Sequence, residues 1–217
     1  MSVWDDRAEA YRQSATHASG EDLDAVVELC NPHAGVKVLD VATGGGHVAR
    51  RLRAEGAEVV TLDPSPGMQP DVVARAEHIP FADGAFDVVV SRIAAHHFES
   101  LGEAIGEMVR VSNRVVVIED MLYRTEEEQE AEKLRDPSHV RSLSADEWRD
   151  LLVDAGLEIE QTLFFSKTHE MDEWLARTGC TGDDADRVRE LLAPFSSADG
   201  ATWSNDYVVV KARKSQR

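Results

Sequence analysis

The stretch Val38-Leu39-Asp40-Val41-Ala42-Thr43-Gly44-Gly45-Gly46-His47 constrains this chain more than any other. An apolar run enters three consecutive glycines and leaves them in the helical pattern of residues 48–54. Glycines at such a corner permit positive φ and close backbone approach, and the helix that follows offers unpaired N–H groups at its start. A strand, turn and helix of this kind is suited to hold a small ligand. Asp63 closes the next strand 23 residues after Asp40, near the spacing of roughly 20 at which an acidic side chain meets a ribose diol. A corner that merely tightens the chain seldom brings both acidic residues with it.

Around this corner, short β-branched runs alternate with amphipathic ones, as in a parallel sheet covered by helices. Residues 36–41, 59–63, 86–90 and 115–119 predict buried central strands, and 157–165 and 207–211 two later ones. Leu23, Val26, Val27 and Cys30 repeat at helical spacing, as do Trp148, Leu151, Leu152 and Ala155. Ser144 with Glu147 forms a capping box ahead of the second helix, and Gly156 stands at its end. Ser100 with Glu103 repeats the box before Leu101, Ile105, Met108 and Val109. The acidic run 125–132 reads as a solvated helix or lid segment. The expected fold is a doubly wound, Rossmann-like α/β domain over residues 1–217. It has seven mostly parallel strands, with lids at 1–30 and 122–142.

Lys and Arg number 23 against 41 Asp and Glu, a net charge of −18, which repels a phosphate backbone and argues against general nucleic-acid binding. No apolar stretch reaches the roughly 18 residues of a membrane span. The amino-terminal residues have no apolar signal core, and Cys30 and Cys180 make no disulfide framework, so the expectation is a reducing cytoplasm with both thiols as packing groups. His96 and His97 are adjacent and no His-x-x-x-His spacing occurs, so no metal site is expected. A homodimer is compatible with the composition.

Read as G-x-G-x-x-G, the turn places Ala42, Gly44 and His47 at the three glycine positions. Two of the three fail, which makes a nicotinamide-dependent oxidoreductase the weaker choice. The stretch instead resembles the first motif of class I S-adenosylmethionine (SAM)-dependent methyltransferases, an acidic residue before a G-x-G-x-G turn, with Ala42 in place of the first glycine. The resemblance continues through Leu62-Asp63, Ala76-Glu77-His78-Ile79-Pro80-Phe81, Gly84-Ala85-Phe86-Asp87-Val88-Val89, Ala95-His96-His97-Phe98 and residues 134–142. It looks most like the branch that contains the ubiquinone/menaquinone-biosynthesis C-methyltransferases (methyltransferase type 11). That resemblance implies SAM as cofactor. Asp40 would support the turn near the amino-acid end, Ala42, Gly44 and Gly46 would pass beneath the cofactor, and Asp63 would accept from the ribose hydroxyls. Pro64, Met68, Ala76 and Glu77 would flank the adenosine, and Tyr11 would close over the sulfonium from an N-terminal helix.

This sequence departs from the family pattern twice. Arg75 stands where relatives usually have an acidic residue, so restoring an acid there is expected to tighten SAM. Between Asp63 and Glu77 the chain carries Pro64, Pro66 and Pro70, which predict a loop or single turn where relatives fit a helix. On the acceptor side, His96 and His139 are the catalytic candidates, with Glu119 and Asp120 as further base candidates. Arg92, Arg135 and Arg141 would bind a small anionic or enolic acceptor; alternatively, Arg135 and Arg141 pair with the acidic run and anchor the loop. The implied reaction is methyl transfer by in-line displacement. A catalytically silent SAM-binding protein and the oxidoreductase are the rival classes.

Overall fold

The computed structural model describes residues 3–215; residues 1–2 and 216–217, at the ends of the expected domain and lid, lie outside the described residues. Strands β1 (Lys37–Val41), β2 (Glu58–Asp63), β3 (Val72–Val73), β4 (Phe86–Arg92), β5 (Ser112–Met121), β6 (Leu157–Glu170) and β7 (Thr202–Lys214) form one sheet in the order β3-β2-β1-β4-β5-β7-β6. β1 to β5 pair in parallel, and β7 runs antiparallel between β5 and β6. The winding direction reverses between β1 and β4, and at such a switch point a crevice opens beyond the carboxyl ends of the strands.

The helices come in three sets. α1 (Val3–Gln13), α2 (Ala15–Ala18) and α3 (Glu21–Cys30) precede the sheet, and α4 (His47–Ala54), α5 (Leu101–Val111), α6 (Glu126–Arg135) and α7 (Ala145–Asp154) alternate with its strands. α8 (Met171–Ala176) and α9 (Gly182–Leu192) lie between the last two strands. Successive β1 side chains point to opposite faces. Leu39 and Val41 join a core with Ile105 and Met108 of α5 and Trp148 and Leu152 of α7. Val38 joins a second core with Leu23 and Val26 of α3 and Val48 and Leu52 of α4. α3 is therefore a core helix, and only α1 and α2 remain of the expected 1–30 lid.

Two expectations need correction. β6 and β7 run well past 165 and 207, pairing as far as Glu170 with Thr202; the extension carries α8 and α9, which pack with α6 as a third core around Trp174 and Trp203. α6 is not solvated on all sides: Glu128, Gln129, Glu132 and Arg135 are buried, because Arg124 holds Glu128 and Arg135 holds Glu132. As the prolines predict, the segment after Asp63 makes a single 3-10 turn at Pro66–Met68, and β3, the seventh strand, follows it over two residues.

The two capping signals fare differently. Ser144 Oγ accepts the Glu147 N–H at 3.2 Å while Glu147 Oε2 accepts the Ser144 N–H at 2.8 Å. The Ser100 side chain caps nothing; instead Glu77 Oε1 accepts the N–H groups of Glu99 at 2.9 Å and Ser100 at 3.4 Å. Ser144→Ala is accordingly expected to cost about 1 kcal/mol and Ser100→Ala less than about 0.5 kcal/mol, read as urea midpoints at unchanged slope.

Candidate active site

The turn after β1 takes left-handed backbone at alternate residues: Ala42 at φ +56°, Gly44 at +51° and Gly46 at +73°. These are the three positions of the G-x-G-x-G pattern, so Ala42 adopts a conformation that costs an L-residue about 1–2 kcal/mol. The folded turn is held by the two expected acidic residues. Thr43 Oγ1 donates to Asp40 Oδ2 at 2.6 Å; Gly44 N–H donates to Asp63 Oδ2 at 3.0 Å and Ser65 N–H to Asp63 Oδ1 at 2.9 Å. Burial pushes the Asp40 carboxyl up to about 6 and raises Asp63 as well. Each Asp63 oxygen keeps a second lone-pair site for a further donor.

α1 forms the roof. A Cβ at Gly45 would lie 2.7 Å from the Tyr11 carbonyl oxygen, and one at Gly67 2.7 Å from Asp5 Cα, so α1 rests on both turns only because they carry glycine. His47 Nε2–H donates to the Tyr11 carbonyl at 3.0 Å while its Nδ1 accepts from Arg50 at 2.8 Å. Asp5 Oδ1 accepts from Ser65 Oγ at 2.6 Å and Gly67 N–H at 2.9 Å. In the sequence His47 stands at the third position of the failed G-x-G-x-x-G pattern; its docking role has no sequence signal, since its partner lies 36 residues away.

Beneath this roof lies a cavity of about 500 Å³. Asp40, Ala42, Gly44, Asp63, Pro64 and Met68 meet on its wall, joined by Ala76, Glu77 and, from the roof, Tyr11. Gly46 is not on the wall; it precedes α4 as its N-cap. Arg75 faces the cavity too, with its guanidinium between Glu77 at 3.3 Å and Glu99 at 3.1 Å. An acid at position 75 would put three carboxylates together, so Arg75→Asp is no longer expected to tighten a ligand. A second, polar cleft of about 460 Å³ opens at the opposite edge of the strands, beside Asp87, Arg114 and Lys211.

The acceptor-side candidates separate. Arg92 reaches the wall, but its guanidinium contacts Asp22, donates to Glu119 at 2.6 Å and to the His17 carbonyl at 3.0 Å. Lys167 Nζ lies 2.5 Å from Asp22 in the same buried cluster, so Arg92 serves as a tie among α3, β4 and β5. Arg135 is turned away: it stacks at 4.0 Å on Trp174 and donates to Glu132 at 3.2 Å. Arg141 is exposed and pairs with Glu147 rather than with the acidic run. His139 is buried off the wall, donating from Nε2 to Gln129 Oε1 at 2.6 Å, and burial drives its pKa down to about 3. His96 is likewise behind the wall, its N–H and Nδ1–H donating to Asp120 at 2.7 and 2.6 Å. Of the adjacent pair it is His97 that joins His17 and His47 on the wall, facing Trp4 at 4.6 Å between ring centroids. Pro137, Ser138 and Val140 of the loop after α6 complete that end. The turn that presents His97 begins at Ile93, a β-branched residue held at φ +52° with its N–H on the Glu119 carbonyl at 2.7 Å, and such strain clusters at functional sites.

A profile of the methyltransferase-domain family matches residues 39–114. The chain is 29% identical to the uncharacterised methyltransferase YcgJ of Bacillus subtilis, covering 88% of this chain and 83% of that protein. It is 32% identical to the uncharacterised protein YafE of Escherichia coli, covering 64% and 74%. It is 37% identical to the demethylmenaquinone methyltransferase of Thermus thermophilus over a shorter stretch, 43% of this chain and 51% of that one. The crystal structure of a candidate methyltransferase from Bacillus halodurans superposes with a TM-score of 0.82 at 28% identity, over 91% of this chain and all of that one.

Two measurements check the turn and the tie. Ala42→Gly is expected to raise stability by about 0.5–1 kcal/mol, since relief of the left-handed strain exceeds the added unfolded-state entropy. Arg92→Ala is expected to cost about 3–5 kcal/mol, because it leaves Asp22 and Glu119 buried with one cation fewer. Both are read by chemical denaturation.

Proposed function

Because this chain belongs to the class I SAM-dependent methyltransferases, in their ubiquinone/menaquinone-biosynthesis-like branch, we propose that the cavity under α1 binds SAM and a small-molecule acceptor side by side. The observation that carries this reading is the meeting of Asp40, Asp63 and the left-handed turn on one wall. The donor set fits: carboxylates suit a ribose diol and an ammonium, whereas a pyrophosphate would need bare N–H groups or cations. Asp63 would take the diol on its free lone pairs, Asp40 would face the ammonium, and Glu77 and Ala76 would flank the adenine. Trp4 and Tyr11 would close the roof and exclude water, and the segment 137–140 would form the acceptor side of the lid. Bound SAM supplies a methyl group on a sulfonium with a good leaving group, so these residues mainly orient two reactants and keep the site dry.

Calorimetric titration tests this reading. SAM and S-adenosylhomocysteine are expected to bind and NADH not; binding of NADH alone would assign the cavity to the oxidoreductase class. Asp63→Ala is expected to weaken SAM by roughly 1–3 kcal/mol, and an unchanged affinity in the folded variant would remove Asp63 from the site. Asp40, with its carboxyl near 6, is ionised above that pH and protonated below it. SAM affinity is therefore expected to fall as pH is lowered from 7 to 5, as the ammonium loses its partner.

A further inference from the structure

His96 and His97 are neighbours in sequence, with ring centroids 4.0 Å apart, yet their surroundings treat them oppositely. The Asp120 carboxylate can only accept, so His96 Nδ1 carries a proton, and Ser138 arranges His97 in a different way. Ser138 Oγ donates its own proton to Asp136 Oδ1 at 2.6 Å. Both oxygens that Ser138 then offers His97 Nδ1 are acceptors, the carbonyl at 3.1 Å and the hydroxyl at 3.2 Å. His97 Nδ1 must therefore be the protonated nitrogen, which leaves the Nε2 lone pair unprotonated. Nε2 makes no hydrogen bond among the described residues and is not sealed in the interior, on a ring that lines the cavity. From this arrangement we propose that His97 Nε2 is the general base of the site, set in its tautomer by Ser138 and Asp136 of the lid, and that the acceptor therefore carries a hydroxyl or an acidic C–H.

The charges nearby agree. Burial opposes a charge on His96, but Asp120, with Glu132 and Asp136 further off, overrides it and raises that pKa. Burial and the adjacent His96 cation, with His139 beside it, keep His97 well below the ordinary imidazole range against the opposing pull of Asp136. Two groups pushed apart in this way mark an acid form and a base form in one site. The lid is tied to the same turn, with Val140 N–H and Arg141 N–H donating to the His96 carbonyl at 2.8 and 3.2 Å. Seating the lid thus fixes the base as well as closing the cavity. In the reaction, the acceptor's oxygen or carbon forms a bond to the methyl carbon of a sulfonium donor as the carbon–sulfur bond breaks. The sulfur keeps that electron pair as a neutral thioether, and the acceptor's proton passes to His97 Nε2 and then to solvent.

This inference rests on the methyl-donor reading above but has a readout of its own. Long-range proton–nitrogen NMR on the nitrogen-15-labelled protein, with assignment by His97→Asn, is expected to show His97 protonated on Nδ1 alone and still neutral below the ordinary imidazole midpoint. Ser138→Ala, which keeps the carbonyl acceptor and loses only the hydroxyl, is expected to leave the Nδ1–H tautomer dominant, and Asp120→Asn to bring the His97 midpoint up toward free imidazole. His97 protonated on Nε2 when neutral, or titrating at or above the ordinary imidazole midpoint, overturns the assignment. Labelled-methyl transfer from SAM to a panel of phenols, 1,3-dicarbonyl compounds and carboxylates is the second arm. Transfer is expected to the first two classes, with His97→Asn at least about a hundredfold slower while SAM affinity stays within about twofold. Transfer only to carboxylates, which need no base, or undiminished turnover in His97→Asn overturns the base. Failure of the unaltered protein to bind SAM overturns the donor reading itself.

Discussion

Three left-handed residues at alternate positions, Ala42, Gly44 and Gly46, turn the chain sharply enough for the N–H of Gly44 to reach the carboxylate that ends the neighbouring strand. Much of the site is assembled on that corner. It ties the ends of β1 and β2 together through Asp63, it leads α4 back onto a face of the sheet, and it lets the Tyr11 carbonyl lie against Gly45. Glycine is thus used both for the left-handed turn and for seating a roof helix on it. The alanine at the first position is tolerated because the corner is over-determined by hydrogen bonds on both sides.

Charge supplies the second layer of organisation. A chain of net charge −18 can bury Asp22, Glu119 and Glu132 only beside cations, and Arg92, Lys167 and Arg135 meet them inside. The consequence for the cavity is that the arginines closest to it are already committed to carboxylates. What faces the cavity is a mixture of carboxylates, imidazoles and aromatic rings set among aliphatic side chains.

Sequence reasoning went furthest where the signal is local. The glycine corner, the central strands, the Ser144 capping box and Asp63 were legible because each depends on residues a few positions apart or on a fixed strand-to-strand interval. It failed at Ser100, where a capping pattern is present but Glu77 from another loop takes the N–H groups, and at α8 and α9, whose helices hang on a hairpin extension rather than on the sheet. It also favoured His96 over His97. Adjacent residues on a 3-10 turn point in different directions, and only the position of Asp120 on β5 says which one turns inward.

The sequence by itself determined the doubly wound sheet, the left-handed corner and its two acidic partners, because backbone sterics and burial periodicity act over short stretches and leave a pattern in residue type. The tertiary structure decided what long-range contact decides. Arg135 packs on Trp174 of α8, Arg92 is held by Asp22 seventy residues earlier, and His47 meets the roof helix through a backbone carbonyl that no side chain advertises. It also decided that Ser138, forty-one residues along, orients His97. A side chain's partner sets its charge, tautomer and direction, and when that partner is distant in sequence only the fold brings the two together.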